Sequence, residues 1–353
     1  MVKNIVFLYP GQGAQAPGMG IDLFTASKAV RDLFALASQV VGRDMVTLLR
    51  DSDADTLKRT DVSQPAITLA NLAAAAVLKE KGVVPFACAG FSLGEYAALA
   101  TAGVITVAEA FRLVTKRGEA MQKAADKLAA ADANGTAPGM AAVLGLPPEK
   151  VEALVAEWTK AGMTGLYAAN YNSPSQVVLA GTAAALTDAE ARFKEAGAKR
   201  VIRLKVASPF HSPLLQEAAD EFTEALTSAV FSDPKLPLFS NVTGKRVESG
   251  AEAKKFALRQ IIEPVRWTSE ETAISALDPD AILEVGPGKV LQGLWKDCGS
   301  SAPCMLAGTL TDIESAVAAL YAKEEGSTAA HTHRYPQVGE TAKYEQSTDR
   351  RVI

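Results

Sequence analysis

The sequence Ala89-Gly90-Phe91-Ser92-Leu93-Gly94-Glu95-Tyr96 is the most informative stretch of this chain for predicting its fold. The apolar run from Val83 to Ala89 before the serine predicts a short buried strand, and the run from Leu93 to Thr101 after it predicts a helix. Glycines two positions on either side of Ser92 permit a tight turn between these elements. We therefore predict a nucleophile elbow, with the Ser92 hydroxyl exposed above a sheet and close to a helix N-terminus.

The G-x-S-x-G pattern by itself leaves two interpretations open. With average contents of Gly and Ser, a chain of this length contains the pattern by chance in roughly one case in ten. An ordinary glycine-bracketed loop with a helix-capping serine is the alternative to a nucleophile. Other parts of the chain have to decide between the two.

Composition excludes several classes of protein. The chain has 353 residues, 48% of them hydrophobic and 22% charged, which is enough for two compact units. A formal net charge of -4 without a basic stripe argues against a nucleic-acid binder. The three cysteines lack the C-x-x-C spacing of a structural metal site, and no stretch reaches the ~20 apolar residues of a membrane span. We expect a cytoplasmic monomer without a metal, a membrane anchor or a signal peptide.

Three polar residues outside the elbow are candidates for a binding site. Gln12 lies in a glycine-rich turn directly after an apolar first strand, where backbone can approach a ligand, although the dinucleotide pattern G-x-G-x-x-G is not completed. Gln64 precedes Pro65 at the start of a helix predicted for residues 66–81. Arg117 lies in a helix predicted for residues 106–127, where a lone Arg is more often solvated or paired with an acid.

His211 is the candidate general base for Ser92. It lies in Pro209-Phe210-His211-Ser212-Pro213, whose prolines restrict the loop. The two other histidines lie beyond residue 322, where apolar periodicity stops and we expect a flexible polar tail over residues 322–353. A structural histidine is the alternative interpretation, but with one candidate available we favour the catalytic one.

The order of predicted elements indicates one unit inserted into another. Residues 129–139 are small and contain Gly and Pro, which marks a boundary. Beyond this boundary the pattern is β-α-β-β-α-β, the ferredoxin-like arrangement. We predict a discontinuous α/β-hydrolase-like catalytic domain with a parallel sheet over residues 1–136 and 207–321, and a ferredoxin-like subdomain over residues 137–206.

Together these motifs resemble those of the malonyl-CoA:acyl carrier protein transacylases and the related acyltransferase domains of polyketide and fatty acid synthases. The resemblance covers roughly residues 4 to 320 and rests on motifs in the family's order: GQGAQ at Gly11, SQPA at Ser63, GFSLGEYAAL at Gly90, KRGEAM at Lys116, NYNSPSQVVLAG at Asn170, PFHS at Pro209, SNVTG at Ser240, PVRW at Pro264 and EVGPGKVL at Glu284. The chain departs from the family at Phe91, a position that is often His.

The resemblance implies a role for each reacting group. It implies that Ser92 is the nucleophile and that His211 is the base, with the imidazole oriented by the backbone carbonyl of Gln260 rather than by a carboxylate. It also implies that the backbone N–H groups of Leu93 and Gln12 form the oxyanion hole. Only backbone that approaches closely can direct a donor at the developing charge, which would explain the first glycine turn.

The resemblance implies three further residues in the substrate pocket. Gln64 would line it, and Arg117 would bind the free carboxylate of a malonyl group through matched, planar donors. An acetyl group would leave that Arg buried and unpaired, at a cost on the order of 3 to 5 kcal/mol. Phe210 matches the form that the family uses with unbranched malonyl, because its ring would crowd a 2-methyl group.

The implied reaction is transfer of malonyl from malonyl-CoA to the phosphopantetheine thiol of acyl carrier protein through a malonyl-Ser92 intermediate, in fatty acid biosynthesis. Coenzyme A thioester is then a substrate, and no cofactor is expected. An α/β-hydrolase-type esterase or thioesterase is one alternative, although it predicts a Ser, Asp/Glu, His order with the His near the chain end. A polyketide-pathway acyltransferase acting in trans and a non-catalytic docking module are the others.

Overall fold

The computed structural model describes residues 3–130, 137–204, 206 and 208–328. Its strands are β1 (Ile5–Tyr9), β2 (Ala87–Gly90), β3 (Gly139–Leu144), β4 (Leu166–Ser173), β5 (Gln176–Gly181), β6 (Arg200–Arg203), β7 (Phe239–Ser240), β8 (Lys245–Arg246), β9 (Ala281–Glu284) and β10 (Cys304–Leu306). Its α-helices are α1 (Ile21–Ala26), α2 (Lys28–Val41), α3 (Met45–Asp51), α4 (Ala54–Lys58), α5 (Thr60–Glu80), α6 (Gly94–Thr101), α7 (Val107–Ala130), α8 (Pro148–Lys160), α9 (Ala183–Glu195), α10 (Gln216–Thr227), α11 (Gly250–Arg259), α12 (Trp267–Ser275), α13 (Val290–Asp297) and α14 (Leu310–Thr328).

A parallel sheet with the strand order β10-β9-β1-β2 carries the elbow. Strands β1, β2 and β9 are buried along their whole length, as is typical of parallel strands covered on both faces. In the register of β1 and β2, Tyr9 is the partner of Gly90. The turn that follows β1 and the elbow that follows β2 therefore lie side by side at one edge of the sheet.

Two predicted element boundaries around this sheet were wrong. The strand before the elbow begins at Ala87 rather than Val83, and Val84 is 56% exposed. Helix α5 begins at Thr60 and continues through Pro65, whereas the prediction placed its start after the proline. Because α5 is buried along most of its length, tertiary packing outweighs the hydrogen bond that the proline cannot donate.

An antiparallel sheet with the order β4-β5-β3-β6 follows in the chain. Together with α8 and α9 it forms the predicted β-α-β-β-α-β succession of the ferredoxin-like arrangement. Both helices pack on one face of this sheet, where the rings of Trp158 and Phe193 meet edge to face with centroids 4.7 Å apart. The opposite face packs against Phe210, beside the elbow.

Backbone hydrogen bonds tie this antiparallel sheet to the rest of the molecule. The Tyr171 N–H donates to the Val265 carbonyl over 2.9 Å, and the Val265 N–H donates to the Ala169 carbonyl over the same distance. Most of the boundary predicted at 129–139 falls on residues 131–136, outside the described residues. The predicted flexible tail over residues 322–353 differs from the structure at its start, because helix α14 continues to Thr328, and residues 329–353 lie outside the described residues. In the described part of the chain, no helix has the combination of length and apolarity that crossing a bilayer requires.

Candidate active site

Ser92 lies on the turn between β2 and α6 with a left-handed φ of 49°. For a residue other than glycine this conformation costs about 1 to 3 kcal/mol. A Cβ at Gly90 would collide with the Gly94 backbone, and a Cβ at Gly94 would collide with the Tyr9 carbonyl of β1. The two glycines therefore permit close backbone packing, while the serine itself adopts the strained conformation.

The Ser92 hydroxyl is hydrogen-bonded to a histidine that no carboxylate orients. Ser92 Oγ lies 2.8 Å from His211 Nε2, and His211 Nδ1 lies 2.8 Å from the backbone carbonyl oxygen of Gln260. Since a carbonyl only accepts, Nδ1 carries the hydrogen and Nε2 is free to accept the serine proton. Burial and the nearby Arg117 guanidinium lower the pKa of His211 to about 4. The imidazole is therefore neutral at physiological pH and can act as a base.

The glycine turn after β1 lies against the elbow. A Cβ at Gly11 would collide with the carbonyl of Phe91 and would contact the backbone nitrogen of Leu93. Within the described ranges, neither the Gln12 N–H nor the Leu93 N–H donates a hydrogen bond to another protein group. Two unused donors next to Ser92 are what a developing oxyanion requires.

Arg117 projects from α7 toward the serine hydroxyl. Its side chain is 1% exposed, and Nη2 lies 3.5 Å from Ser92 Oγ. The guanidinium carbon lies 5.7 Å from the centroid of the Tyr96 ring, and Nε has no hydrogen-bond partner among the residues described. Burial lowers the pKa of Arg117, although a guanidinium remains charged in proteins. A buried cation that faces the Ser92 hydroxyl in this way can bind an anionic group.

Ser92 opens into a cleft of about 520 Å³ between the two sheets. Gln12, Arg117, Phe210 and His211 line it as predicted, whereas Gln64 does not. Because α5 starts at Thr60, Gln64 lies within the helix rather than at its start. Its side chain is fully buried, and its Nε2 donates to the sulfur of Met121 over 3.3 Å. The antiparallel sheet and its following loop supply the opposite wall, which is formed by Met140, Asn170, Asn172, Val178, Leu204 and Val206.

Asn241 contacts the elbow, although sequence analysis assigned it no role in the site. Its Oδ1 accepts the Ser92 N–H over 2.6 Å, and its Nδ2 donates over 2.8 Å both to the Gly90 carbonyl and to Glu270 Oε1. Asn241 belongs to the SNVTG motif, but the sequence does not indicate which backbone group its side-chain amide contacts. Phe91, the residue that departs from the family, lines the cleft and meets the Trp267 ring edge to face with centroids 5.3 Å apart.

Comparison with known proteins agrees with this geometry. A family model described as "Acyl transferase domain" matches residues 6–335. The Malonyl CoA-acyl carrier protein transacylase of Bacillus subtilis (strain 168) is 35% identical over 328 residues, which cover 93% of this chain and 100% of that protein. The chain belongs to the malonyl CoA-acyl carrier protein transacylase family. It is therefore an acyltransferase, as the motifs predicted, and the esterase alternative is wrong.

Solved transacylases share the fold as well as the sequence pattern. The malonyl CoA-acyl carrier protein transacylase from Clostridium perfringens superposes with a TM-score of 0.84 at 32% identity, covering 92% of this chain and 99% of its own. A malonyl-transacylase solved in complex with a type II PKS acyl-carrier protein gives a TM-score of 0.80 at 36% identity, covering 89% and 99%. These likenesses confirm the predicted α/β-hydrolase-like core with a ferredoxin-like subdomain. In the residues that the structure describes, no cluster of His, Cys, Asp or Glu suits a metal ion.

Proposed function

We propose that this transacylase transfers the malonyl group of malonyl-CoA to the phosphopantetheine thiol of an acyl carrier protein, in fatty acid biosynthesis. The observation that carries the proposal is the Arg117 guanidinium, which is buried and lies 3.5 Å from Ser92 Oγ. A malonyl ester on Ser92 would bring its free carboxylate within reach of that cation. The names of the relatives support the same donor and acceptor.

In the first half-reaction Ser92 Oγ attacks the thioester carbon while His211 Nε2 takes the hydroxyl proton. The N–H groups of Gln12 and Leu93 stabilise the oxyanion of the tetrahedral intermediate. The carbon–sulfur bond then breaks, and His211 returns the proton to the leaving thiolate of coenzyme A. In the second half-reaction the carrier thiol gives its proton to His211, and its sulfur attacks the carbonyl carbon of the malonyl ester. The bond from that carbon to Ser92 Oγ then breaks, and His211 returns the proton to Ser92 Oγ. The reaction balances without a cofactor.

Arg117 and Phe210 account for substrate choice in this proposal. The planar guanidinium offers paired donors to a carboxylate, whereas acetyl-CoA would leave it buried and unpaired at a cost on the order of 3 to 5 kcal/mol. The Phe210 ring lines the same cleft and would crowd a 2-methyl group. Unbranched malonyl is therefore the acyl group that fits both residues.

The proposal extends to the organisation of the molecule. We propose a catalytic domain over residues 1–136 and 207–321, a subdomain over residues 137–206, and a cytoplasmic monomer that binds neither nucleic acid nor membrane. Transfer to a carrier protein of polyketide synthesis is the second candidate. One relative, solved in complex with a type II PKS acyl-carrier protein, favours that acceptor.

Intact-mass and peptide mass spectrometry after mixing with malonyl-CoA or acetyl-CoA tests the proposal. We expect a malonyl adduct on Ser92 that is absent from Ser92→Ala. In Arg117→Ala, malonyl loading should fall by a factor on the order of 10² to 10³, because the carboxylate loses its buried partner, while acetyl loading rises relative to it.

Arg112→Ala is the matched control, because Arg112 lies on the same helix but pairs with Glu109 and stays outside the cleft. It should load malonyl like the unmodified protein. Acetyl loading as fast as malonyl loading in the unmodified protein would overturn the assignment of Arg117.

A further inference from the structure

Both backbone groups of Ser92 are held by residues that are distant in the chain. The Ser92 N–H donates to Asn241 Oδ1 over 2.6 Å, and the Ser92 carbonyl accepts from Gln260 Nε2 over 3.1 Å. The φ of Ser92 is 49°, which a serine does not adopt without support. These two bonds therefore supply part of the stabilisation that keeps the elbow in its strained form.

Glu95 connects the two residues that hold Ser92. It lies in the first turn of α6, is 4% exposed, and is absent from the lining of the cleft. Its Oε2 accepts from Gln260 Nε2 over 2.6 Å and from the Asn241 backbone N–H over 3.2 Å. One carboxyl oxygen thus joins both supports of the nucleophile.

The same connection reaches the base. The backbone carbonyl of Gln260 is the group that accepts from His211 Nδ1 over 2.8 Å. Gln260 therefore contacts the nucleophile and Glu95 through its side chain and the imidazole through its backbone. A displacement of Gln260 would move the base and loosen the serine together.

We propose that Glu95 is a positioning residue which, through Asn241 and Gln260, holds the Ser92 hydroxyl and the His211 imidazole at hydrogen-bonding distance. The Glu95 side chain touches neither the reacting atoms nor the cleft, so it acts through the groups that it holds. The Glu95 backbone N–H also donates to the Ser92 carbonyl over 3.1 Å, and substitutions of the side chain retain that donor. The proposal rests on the proposed function for the choice of malonyl-CoA as one substrate, and on geometry for everything else.

The bonds that Glu95 accepts require an oxygen acceptor but no charge. Burial raises the pKa of Glu95 to about 7. Burial also raises the pKa of Glu270, whose Oε1 accepts from Asn241 Nδ2. A neutral side chain with the same shape is therefore compatible with the network. Glu95→Gln keeps an acceptor oxygen, whereas Glu95→Leu keeps the volume and removes both bonds.

Glu271 offers a matched control for the loss of a buried carboxyl. It is fully buried in α12 and accepts from Trp267 Nε1 over 2.8 Å, and no hydrogen bond joins it to the residues that hold Ser92. Burial raises the pKa of Glu271 to about 8. Glu271→Leu removes a buried carboxyl and retains the hydrogen bonds that Asn241 and Gln260 make with Ser92.

The experiment measures two rates in Glu95→Leu, Glu95→Gln and Glu271→Leu. One is the acylation of Ser92 by malonyl-CoA over a range of concentrations, and the other is the modification of Ser92 by diisopropyl fluorophosphate, which needs the nucleophile but not the substrate. For Glu95→Leu we expect both rates to fall roughly 30- to 100-fold, with KM for malonyl-CoA changed less than about threefold. Glu95→Gln and Glu271→Leu should keep both rates within about threefold of the unmodified protein.

Unchanged rates in Glu95→Leu would overturn the proposal, and so would an equal loss in Glu271→Leu or in Glu95→Gln. If Glu95→Leu does not fold, Gln260→Met decides, because it removes the bonds from the Gln260 side chain to Glu95 and to the Ser92 carbonyl and retains the backbone carbonyl that orients His211. We expect a loss of about tenfold in that variant, and full activity there would overturn the proposal.

The two rates also separate this proposal from the proposed function. An unmodified protein that fails to acylate with malonyl-CoA contradicts the malonyl assignment. The ratio of fluorophosphate rates between Glu95→Leu and the unmodified protein still tests the positioning role in that case.

Discussion

The two sheets of this transacylase serve the candidate site in different ways. The parallel sheet brings the Gln12 turn beside Ser92, because Tyr9 and Gly90 are register partners and each turn follows its strand. His211 approaches from the loop before α10. The antiparallel sheet supplies a wall that includes Asn172, but none of its residues bonds to the serine hydroxyl. Parallel strands all end at the same edge of a sheet, so the loops that follow them lie next to one another. An antiparallel sheet instead exposes the side chains of one face.

The burial of the two sheets follows the same division. Strands β1, β2 and β9 of the parallel sheet are buried along their whole length, so only their ends can reach a substrate. The antiparallel sheet has α8 and α9 on one face and leaves the other for the cleft. If this division is right, substitutions on the parallel side change the rate of chemistry, and substitutions on the antiparallel side change substrate affinity.

The largest expected effect is that of His211→Ala. Removing the base leaves Ser92 without a proton acceptor, and the malonyl loading rate should fall by roughly 10⁴-fold, as when a triad member is lost. Stopped mixing with malonyl-CoA followed by mass spectrometry measures the rate. A loss of less than about tenfold would show that another group activates the serine. That result would contradict the assignment of the chemistry to the groups around Ser92.

The pH dependence gives the next largest effect. His211 must be neutral to accept a proton, and burial together with Arg117 lowers its pKa to about 4, so kcat/KM should be lost only as the pH falls through about 4. The loading rate at pH 5.5 should stay within about twofold of that at pH 7.5, whereas an unperturbed histidine near 6.5 would lose roughly tenfold.

Bound malonyl should shift the pH dependence of the reaction. Its carboxylate would offset the Arg117 charge that lowers the pKa of His211, so the acid limb of kcat should lie at higher pH than that of kcat/KM. Glu95→Gln is the control, because it removes a carboxyl behind the elbow whose pKa is raised to about 7. Coinciding limbs in the two profiles would contradict the pairing of malonyl with Arg117.

The smallest expected effect is that of Asn172→Ala on the antiparallel wall. Asn172 lines the cleft, and its Nδ2 donates to Gln176 Oε1 over 2.8 Å, which leaves Oδ1 without a partner among the described residues. Loss of one polar contact to the substrate should raise KM roughly three- to tenfold, with kcat changed less than about twofold. Steady-state rates over a range of malonyl-CoA concentrations measure both. A hundredfold fall in kcat would mean that the wall takes part in chemistry.

Sequence analysis identified the site residues whose immediate neighbours in the chain indicate their role. Glycines bracket Ser92, prolines bracket His211, and Arg117 stands in a motif, so each was visible in a short window. Asn241 was not assigned, because its amide meets the Ser92 N–H across 149 positions of the chain. Gln64 was assigned wrongly, since the proline beside it suggested a helix start that packing moved back to Thr60.

Local sequence patterns were sufficient to predict the ferredoxin-like order of elements, the enzyme family, and the serine and histidine that the structure brings within 2.8 Å of each other. These depend on periodicity, turn chemistry and motif order, which are properties of neighbouring residues. Only the tertiary structure decided that Ser92 takes a φ of 49°, that Asn241 and Gln260 hold its backbone, and that buried Glu95 joins them. The reason is physical: a strained backbone and a buried carboxyl are stable only when distant donors and acceptors satisfy them, and folding alone brings those groups together.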